Sequence, residues 1–412
     1  MKVALYGNVC NNFYALAKCL RKNGIADAHL YLNYTEDFQH RPESDDPELK
    51  DNYPDWIHLD RRWDPFKFLK KFDKVFINEL NKYDAVFLSD HGPVLAPYIN
   101  SKKIFYVTGA DLTRMPFRER YMEGLKGMKF WLARRYISYM QRKGVRHFDK
   151  IIASPFAPFN SALQRLEIPE QRISQSYYPI LLDVKNMVND PDARQKIDAY
   201  NREMLAPFQF VIFHPSRLII TKHSSYVSSG HWKGNDNLFK AFAIFLKNHK
   251  VTDACIAMPE RITSPEIELA KSIIKELGIE KNIVWLKPTT PEGFPRKELI
   301  KYYSLSSLVA DEFATGWFGS IVVEGMACSK PTLCYVDEEV MKKLYPWHPI
   351  ISAIEPEKIA SQIAQYYFDR ELACKQGKIS RDWALKYHSI EEGSKIYADN
   401  LNNDLKDVFS KQ

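Results

Sequence analysis

The chain alternates short apolar runs, rich in β-branched and aromatic residues, with longer segments whose apolar positions recur at helical spacing. Runs of that kind read as buried strands and the intervening segments as amphipathic helices. Strands are expected at 2–6, 28–32, 84–88, 103–107 and 149–153, and again at 209–213, 253–258, 282–286, 307–310 and 331–335. Phe13, Leu16, Ala17 and Leu20 mark the helix after the first strand, and Leu238, Phe242 and Phe245 one in the second series. So do Ile267, Ala270, Ile274 and Leu277. Strand–helix alternation of this sort builds parallel, doubly wound sheets, so the fold class is α/β with two Rossmann-like domains in tandem.

Between the two series the sequence turns polar over 186–207, with Asn186, Asn189, Asp190, Pro191 and Asp192. The expected organisation is a first domain over 1–185, a linker over 186–207 and a second domain over 208–388. A helix over 389–408 is expected to return to the first domain. Residues 36–65, rich in Asp, Pro and Glu, read as a long surface loop.

Composition changes the picture little. Apolar residues make up 45% and charged residues 26%, an ordinary globular balance. No uncharged apolar run reaches the about 18 residues that argue for a membrane span, and the short apolar N-terminus reads as a strand, not a signal peptide. Six cysteines are scattered singly, without Cys-x-x-Cys or a Cys/His cluster at metal spacing. These features point to a reduced, cytoplasmic protein without a structural metal.

Charge is more informative. Net charge is +7, and the segment 114–146 alone carries ten Lys and Arg against two Glu, leaving the rest near neutral. Phe117, Tyr121, Phe130, Trp131, Tyr136 and Tyr139 lie among these cations. The segment reads either as a solvated amphipathic helix pair or as a docking surface for an anionic membrane or for acceptor phosphates. No nucleic-acid module accompanies it.

The stretch 311–335 carries the chemistry. Gly316 and Gly319 bracket a loop between a strand end and a helix over 320–328, and Pro331 stops that helix before the next strand. A glycine loop feeding a helix N-terminus presents free backbone N–H groups and a positive dipole end to a phosphate. Glu324, about one turn into the helix, is a carboxylate suited to ribose hydroxyls. Upstream, His214-Pro215-Ser216-Arg217-Leu218 follows a strand, and Trp232-Lys233-Gly234-Asn235-Asp236-Asn237-Leu238 opens a helix.

Taken in order, Phe318-Gly319-x-x-x-x-Glu324-Gly325-Met326-Ala327-x-x-x-Pro331, with Arg217-Leu218 and Lys233-Gly234-x-Asp236-x-Leu238, resembles the nucleotide-binding signature of glycosyltransferase family 4. These are retaining enzymes of the GT-B fold, two Rossmann-like domains facing a cleft. The resemblance is strongest over 209–335 and loose in the first domain. It implies transfer of a sugar from a nucleotide-diphosphate donor (a UDP-, GDP- or dTDP-sugar as co-substrate, with no covalently bound cofactor) to a glycan or lipid-linked acceptor. Such transfers serve surface polysaccharide or glycoconjugate synthesis; the basic segment 114–146 adds the expectation of peripheral binding at the inner face of a membrane. It assigns Arg217 and Lys233 to the leaving diphosphate. Gly316, Phe318, Gly319, Ser320, Ile321 and Glu324 fall to donor binding, with Glu324 on the ribose.

Two departures stand out. The first of the family's two signature glutamates falls on Gly316, with Asp311 and Glu312 as nearby substitutes. The segment 221–232 is longer than usual and rich in Ser, suggesting a flap and leaving Lys222 as a rival to Lys233. In the first domain, Gly7 and Asn8 follow the first strand, His91 lies in Ser89-Asp90-His91-Gly92, and Asp111 closes Thr108-Gly109-Ala110-Asp111. These four are the acceptor-binding candidates. No Asp-x-Asp stands at a strand end, so the expected chemistry is metal-independent. A GT-B sugar-nucleotide epimerase and a non-catalytic GT-B adaptor binding glycan or membrane are the alternatives.

Overall fold

All ten expected strands form, and three short ones join them. The structure is a computed structural model that describes every residue except 34–39, 51, 61–73, 118–127, 176–179, 261–265, 290–292 and 411–412. The chain divides into two units, Met1–Leu181 with Gly393–Gln412, and Leu182–Glu392.

The first unit holds a seven-stranded sheet of β1 (Lys2–Tyr6), β2 (Asp27–Asn33), β3 (Ile57–Asp60), β4 (Ala85–Leu88), β5 (Lys102–Tyr106), β6 (Lys150–Ile152) and β7 (Ile173–Ser174). Its order is β3-β2-β1-β4-β5-β6-β7, with every pair parallel. The strand order reverses between β1 and β4, and in open α/β sheets ligands bind beyond the strand carboxyl ends at such a point. β3 corrects the expectation of an uninterrupted loop over 36–65. It pairs Leu30 with Ile57 and Asn33 with Asp60, and the imidazole of His58 stacks on that of His29 at 5.1 Å. The helix Gly393–Ser410 belongs to this unit. It is fastened by Lys150, whose Nζ lies 2.7 Å from Asp407 Oδ2, and by a Ser174 hydroxyl that donates to Asp404 Oδ2 at 3.0 Å.

The second unit holds β8 (Phe210–Phe213), β9 (Ala254–Pro259), β10 (Ile283–Leu286), β11 (Leu308–Ala310), β12 (Thr332–Cys334) and β13 (Ile351–Ser352), in the order β10-β9-β8-β11-β12-β13. All pairs are again parallel. The whole of β8 is buried, as expected of a strand covered on both faces. Leu238, Phe239, Phe242 and Phe245 on the helix Asn235–His249 bury one face against a core shared with Phe210, Ile212, Ile256, Ile359 and Ile363. Each such side chain contributes about 1.5–3 kcal/mol when fully buried. Here the strand order reverses between β8 and β11. The stretch 186–207, expected as a linker, carries the helices Ala193–Lys196 and Ala199–Leu205 and lies within this unit. Asn201 explains why: its buried amide donates to the Lys287 carbonyl and the Tyr302 hydroxyl.

Candidate functional site

The reversal between β8 and β11 places two chain segments side by side, and the polar groups of the second unit gather there. After β8 come His214, Ser216 and Arg217; after β11 come Asp311 and Glu312. His214 and Asn235, both fully buried, tie the segments together. His214 Nδ1 lies 2.9 Å from the Ala310 carbonyl, which can only accept, so Nδ1 carries the proton. Nε2 is then left to accept from the Asn235 amide at 2.9 Å. The Asn235 carbonyl oxygen in turn accepts from Ile219 N–H at 2.8 Å.

That bolt fixes Lys233, two residues before Asn235. Its N–H donates to the Ile219 carbonyl at 3.2 Å, and its own carbonyl accepts from Phe313 N–H at 2.8 Å. The side chain therefore points into the carboxyl end of β11. Nζ donates to Glu312 Oε2 at 2.7 Å and lies 3.6 Å from Asp311 Oδ1. Ser216 Oγ donates to Asp311 Oδ1 at 2.8 Å. Burial pushes the Glu312 carboxyl up to about 7, helped by Asp311 and opposed by Lys233 and Arg217. Burial works to lower the Lys233 pKa, but the two carboxylates outweigh it and leave it raised.

Arg217 is exposed at the edge of this cluster, and its charge is felt by both Lys233 and Glu312. It makes no ion pair with another described residue. Lys222, the rival to Lys233, is also exposed, with its ammonium 4.8 Å from the centre of the Trp232 ring. The segment holding Lys222 is fastened at both ends. Thr221 N–H donates to Glu266 Oε2 and the Trp232 indole N–H donates to the Ile220 carbonyl.

The glycine loop lies beside the same cluster. Gly319 precedes the helix Ser320–Ala327 in extended backbone and no side chain caps that N-terminus. A Cβ at Gly319 would stand 3.6 Å from Asp311 Oδ2, so the helix start and the Asp311–Lys233 pair are neighbours. Ser320 and Ile321 in the first turn are half-buried. Gly316 explains the missing signature glutamate. Its φ is +75°, and a Cβ there would come 3.2 Å from Asp337 Cβ and 3.3 Å from the Tyr335 ring. Its carbonyl accepts from Asp337 N–H, so the turn is held by hydrogen bonding that a side chain would strain.

Two donor-site expectations need correction or refinement. The Phe318 side chain is 1% exposed and packs edge-on to Trp383 and His388, so it is a core residue, and a ligand could meet only its backbone. Glu324 is buried and already partnered: Tyr303 Oη donates to Oε2 at 2.7 Å, and Arg296 Nε lies 3.3 Å from Oε1. Nothing in the sequence singled out Arg296, Tyr303 or Ser216, since their partners lie in segments that only the folded sheet brings close.

In the first unit, the acceptor candidates lie at neighbouring strand ends, where Asp111 Oδ2 accepts from Asp90 N–H at 3.2 Å. Gly7 follows β1 at the strand-order reversal with φ +107°, and a Cβ there would fall 2.3 Å from the Ser89 carbonyl oxygen. Its role is this close backbone approach. Asn8 is 2% exposed; its amide donates to Asn11 Oδ1 and the His40 carbonyl, and its oxygen accepts from Tyr14 N–H. Asp111 has no exposed surface and accepts from Thr108 N–H and Oγ1–H, Gly109 N–H and Leu112 N–H. Burial pushes its pKa up to about 6 against those hydrogen bonds. The Asn8 and Asp111 side chains thus hold the loops together. His91 is half-buried.

The helix Met128–Val145 covers part of the basic segment; 118–127, with Tyr121, lies outside the described residues. Trp131, Arg135, Tyr139 and Lys143, spaced four apart, are exposed along one line, with Leu132 beside them. The Arg135 guanidinium sits 4.4 Å from the Trp131 ring centre.

Two doubly wound parallel-sheet units in tandem match the GT-B fold, and solved structures bear out that fold. A structure of Anabaena Alr3699/HepE in complex with UDP-glucose matches with a TM-score of 0.65 at 14% identity, covering 98% of this chain and 100% of that one. A glycosyltransferase from Rickettsia africae ESF-5 matches at 0.63 and 17% identity, covering 100% and 99%. Sucrose-phosphate synthase from Thermosynechococcus elongatus matches at 0.62 and 14%, covering 100% of each chain. The family model described as "Glycosyl transferases group 1" matches residues 225–383, which include Lys233, Glu312, the glycine loop and Glu324. No curated protein matches the sequence. Among the described residues no helix is long and apolar enough to cross a membrane.

Proposed function

We propose that this chain is a nucleotide-sugar glycosyltransferase of the family 4 kind, transferring a sugar from a nucleotide diphosphate to an acceptor hydroxyl with retention at the anomeric carbon. The observation that carries the reading is the convergence of Lys233, Arg217 and the uncapped N-terminus of Ser320–Ala327 at the β8/β11 reversal. Lys233 and Arg217 are cations and the helix start a positive dipole end, with Glu312 and Asp311 offsetting Lys233, and a diphosphate is a ligand that would use all three. In the reaction the bond from the anomeric carbon to the β-phosphate oxygen breaks and its electron pair goes to the phosphate. The acceptor oxygen bonds to the anomeric carbon, and the acceptor proton passes to the departing phosphate. Arg217, Lys233 and the loop N–H groups stabilise the charge that develops on the leaving group. These cations serve without a metal ion.

Neither acid of the cluster is free to act as nucleophile. Glu312 is engaged with Lys233 and Asp311 with Ser216, which supports proton removal by the leaving phosphate. Glu324 receives the ribose. UDP-glucose, the ligand of the Anabaena neighbour, is the first donor to try.

The acceptor is a glycan or lipid-linked sugar of a surface polysaccharide or glycoconjugate. The exposed line Trp131, Arg135, Tyr139 and Lys143 supports docking on an anionic membrane from the cytoplasmic side. The test is release of nucleoside diphosphate from UDP-, GDP- or dTDP-sugars with EDTA present. Release that depends on acceptor identifies a transferase and release without one a hydrolase; without release, conversion of the donor sugar to its epimer identifies an epimerase, and an unchanged bound donor an adaptor.

A further inference from the structure

The partners of Glu324 lie outside the family signature and outside the reaction outlined above. Both come from one helix, Arg296–Leu305, and stand seven residues apart, two turns along the same face. They divide the carboxylate between them, Arg296 Nε facing Oε1 at 3.3 Å and Tyr303 Oη donating to Oε2 at 2.7 Å. The Tyr303 ring has no exposed surface and is locked edge-on against Phe213 of β8, with centroids 5.1 Å apart. Burial, with the Glu324 charge adding to it, drives the Tyr303 phenol well above its usual range, so it stays protonated and donates. Arg296 is half-buried, so its charge offsets that of Glu324 from the more open side.

A buried carboxylate without such partners would take up a proton or turn away. Held at both oxygens, it has a fixed plane and a fixed charge. We infer that Tyr303 and Arg296 are positioning residues that keep Glu324 ionised and aligned for the hydroxyls of a nucleotide ribose. The inference rests on the reading of Glu324 as the ribose ligand. It assigns the ribose selectivity of the site to a helix that the signature does not include.

The experiment compares UDP and GDP with their 2′- and 3′-deoxy forms, by calorimetry on the full chain. The wild type is expected to bind one ribonucleotide at least tenfold more tightly than a deoxy form. Tyr303→Phe and Arg296→Gln should shrink that ratio to threefold or less while leaving affinity for the deoxy nucleotide unchanged. Because the ratio compares two ligands on the same folded protein, a merely structural role would not move it. Arg296→Gln, at the half-buried position, carries the test should Tyr303→Phe fail to fold. On a Glu324→Gln background neither change should alter the ratio further. If Glu324→Gln loses the preference while Tyr303→Phe and Arg296→Gln keep it, positioning is wrong and the ribose reading stands. If the wild type shows no preference, or Glu324→Gln retains it, the ribose reading fails and the inference with it.

Discussion

Lys233 Nζ donates to Glu312 Oε2 at 2.7 Å, so the cation assigned to the donor diphosphate already has a carboxylate partner. Donor and Glu312 compete for it. The Glu312 carboxyl is pushed up to about 7 by burial. Below that pH it is protonated and leaves Lys233 to the phosphate; above it, the carboxylate holds Lys233 and repels the incoming anion. Donor affinity should therefore fall as pH rises from 6 to 8, a range in which a nucleotide sugar's diphosphate does not change charge. Glu312→Gln should flatten the profile. A wild-type profile that is flat across this range, or one that Glu312→Gln leaves intact, would contradict the competition.

Arg217 is the cation of the cluster without an ion pair among the described residues, and Lys222 rests on the Trp232 ring. Arg217→Ala should lower kcat/KM by about 2–4 kcal/mol of transition-state stabilisation. Lys222→Ala should stay within about 0.5 kcal/mol, as surface substitutions usually do. Steady-state kinetics with a saturating acceptor checks both. An essential Lys222 with a dispensable Lys233 would move the diphosphate to the other end of the 221–232 segment.

Gly316 stands where the family signature has an acid, in left-handed backbone with Asp337 and Tyr335 close by. Gly316→Ala should cost about 1–3 kcal/mol of stability, read as a lower denaturant midpoint with an unchanged slope. Gly316→Glu should not rescue or improve activity, because the turn must deform to accept it. A neutral Gly316→Ala would mean that the turn is not held as the hydrogen bond from Asp337 N–H implies.

The exposed line on Met128–Val145 combines two aromatic rings with two cations. Each Lys or Arg at an anionic surface contributes about 1 kcal/mol, and exposed charges are screened beyond about 8 Å at physiological salt. The protein should sediment with anionic vesicles but not neutral ones, and salt should weaken the association. Trp131→Ala, Arg135→Gln and Lys143→Gln together should abolish it without loss of activity on a soluble acceptor. Loss of soluble activity, with the fold kept, would assign the helix face to the acceptor site.

The sequence carried the fold because parallel strands buried on both faces leave continuous apolar runs, as in β8, where every residue is buried. It hid β3 because a short edge strand set among Asp and Pro residues looks like its surroundings. The placement of Gly7 after a strand and of Lys233 before a helix was legible. The loop-holding bonds of Asn8 and Asp111 were illegible because a polar residue at a strand end has two uses, to meet a ligand or to satisfy loop N–H groups. Only the hydrogen bonds distinguish them. The burial of the Phe318 ring was illegible for a similar reason: its place in a binding motif says nothing about which way its ring points. The clamp on Glu324 was illegible, since the strand–loop–helix passage from 306 to 323 separates Tyr303 from it in sequence.

The most direct test is calorimetric titration of the wild type and Lys233→Ala with UDP-, GDP- and dTDP-sugars. The account predicts that the wild type binds one of these donors and that Lys233→Ala weakens it at least tenfold, about 1.4 kcal/mol, with the fold unchanged. A wild type that binds none of the three, or a Lys233→Ala protein that binds the donor equally well, would contradict it.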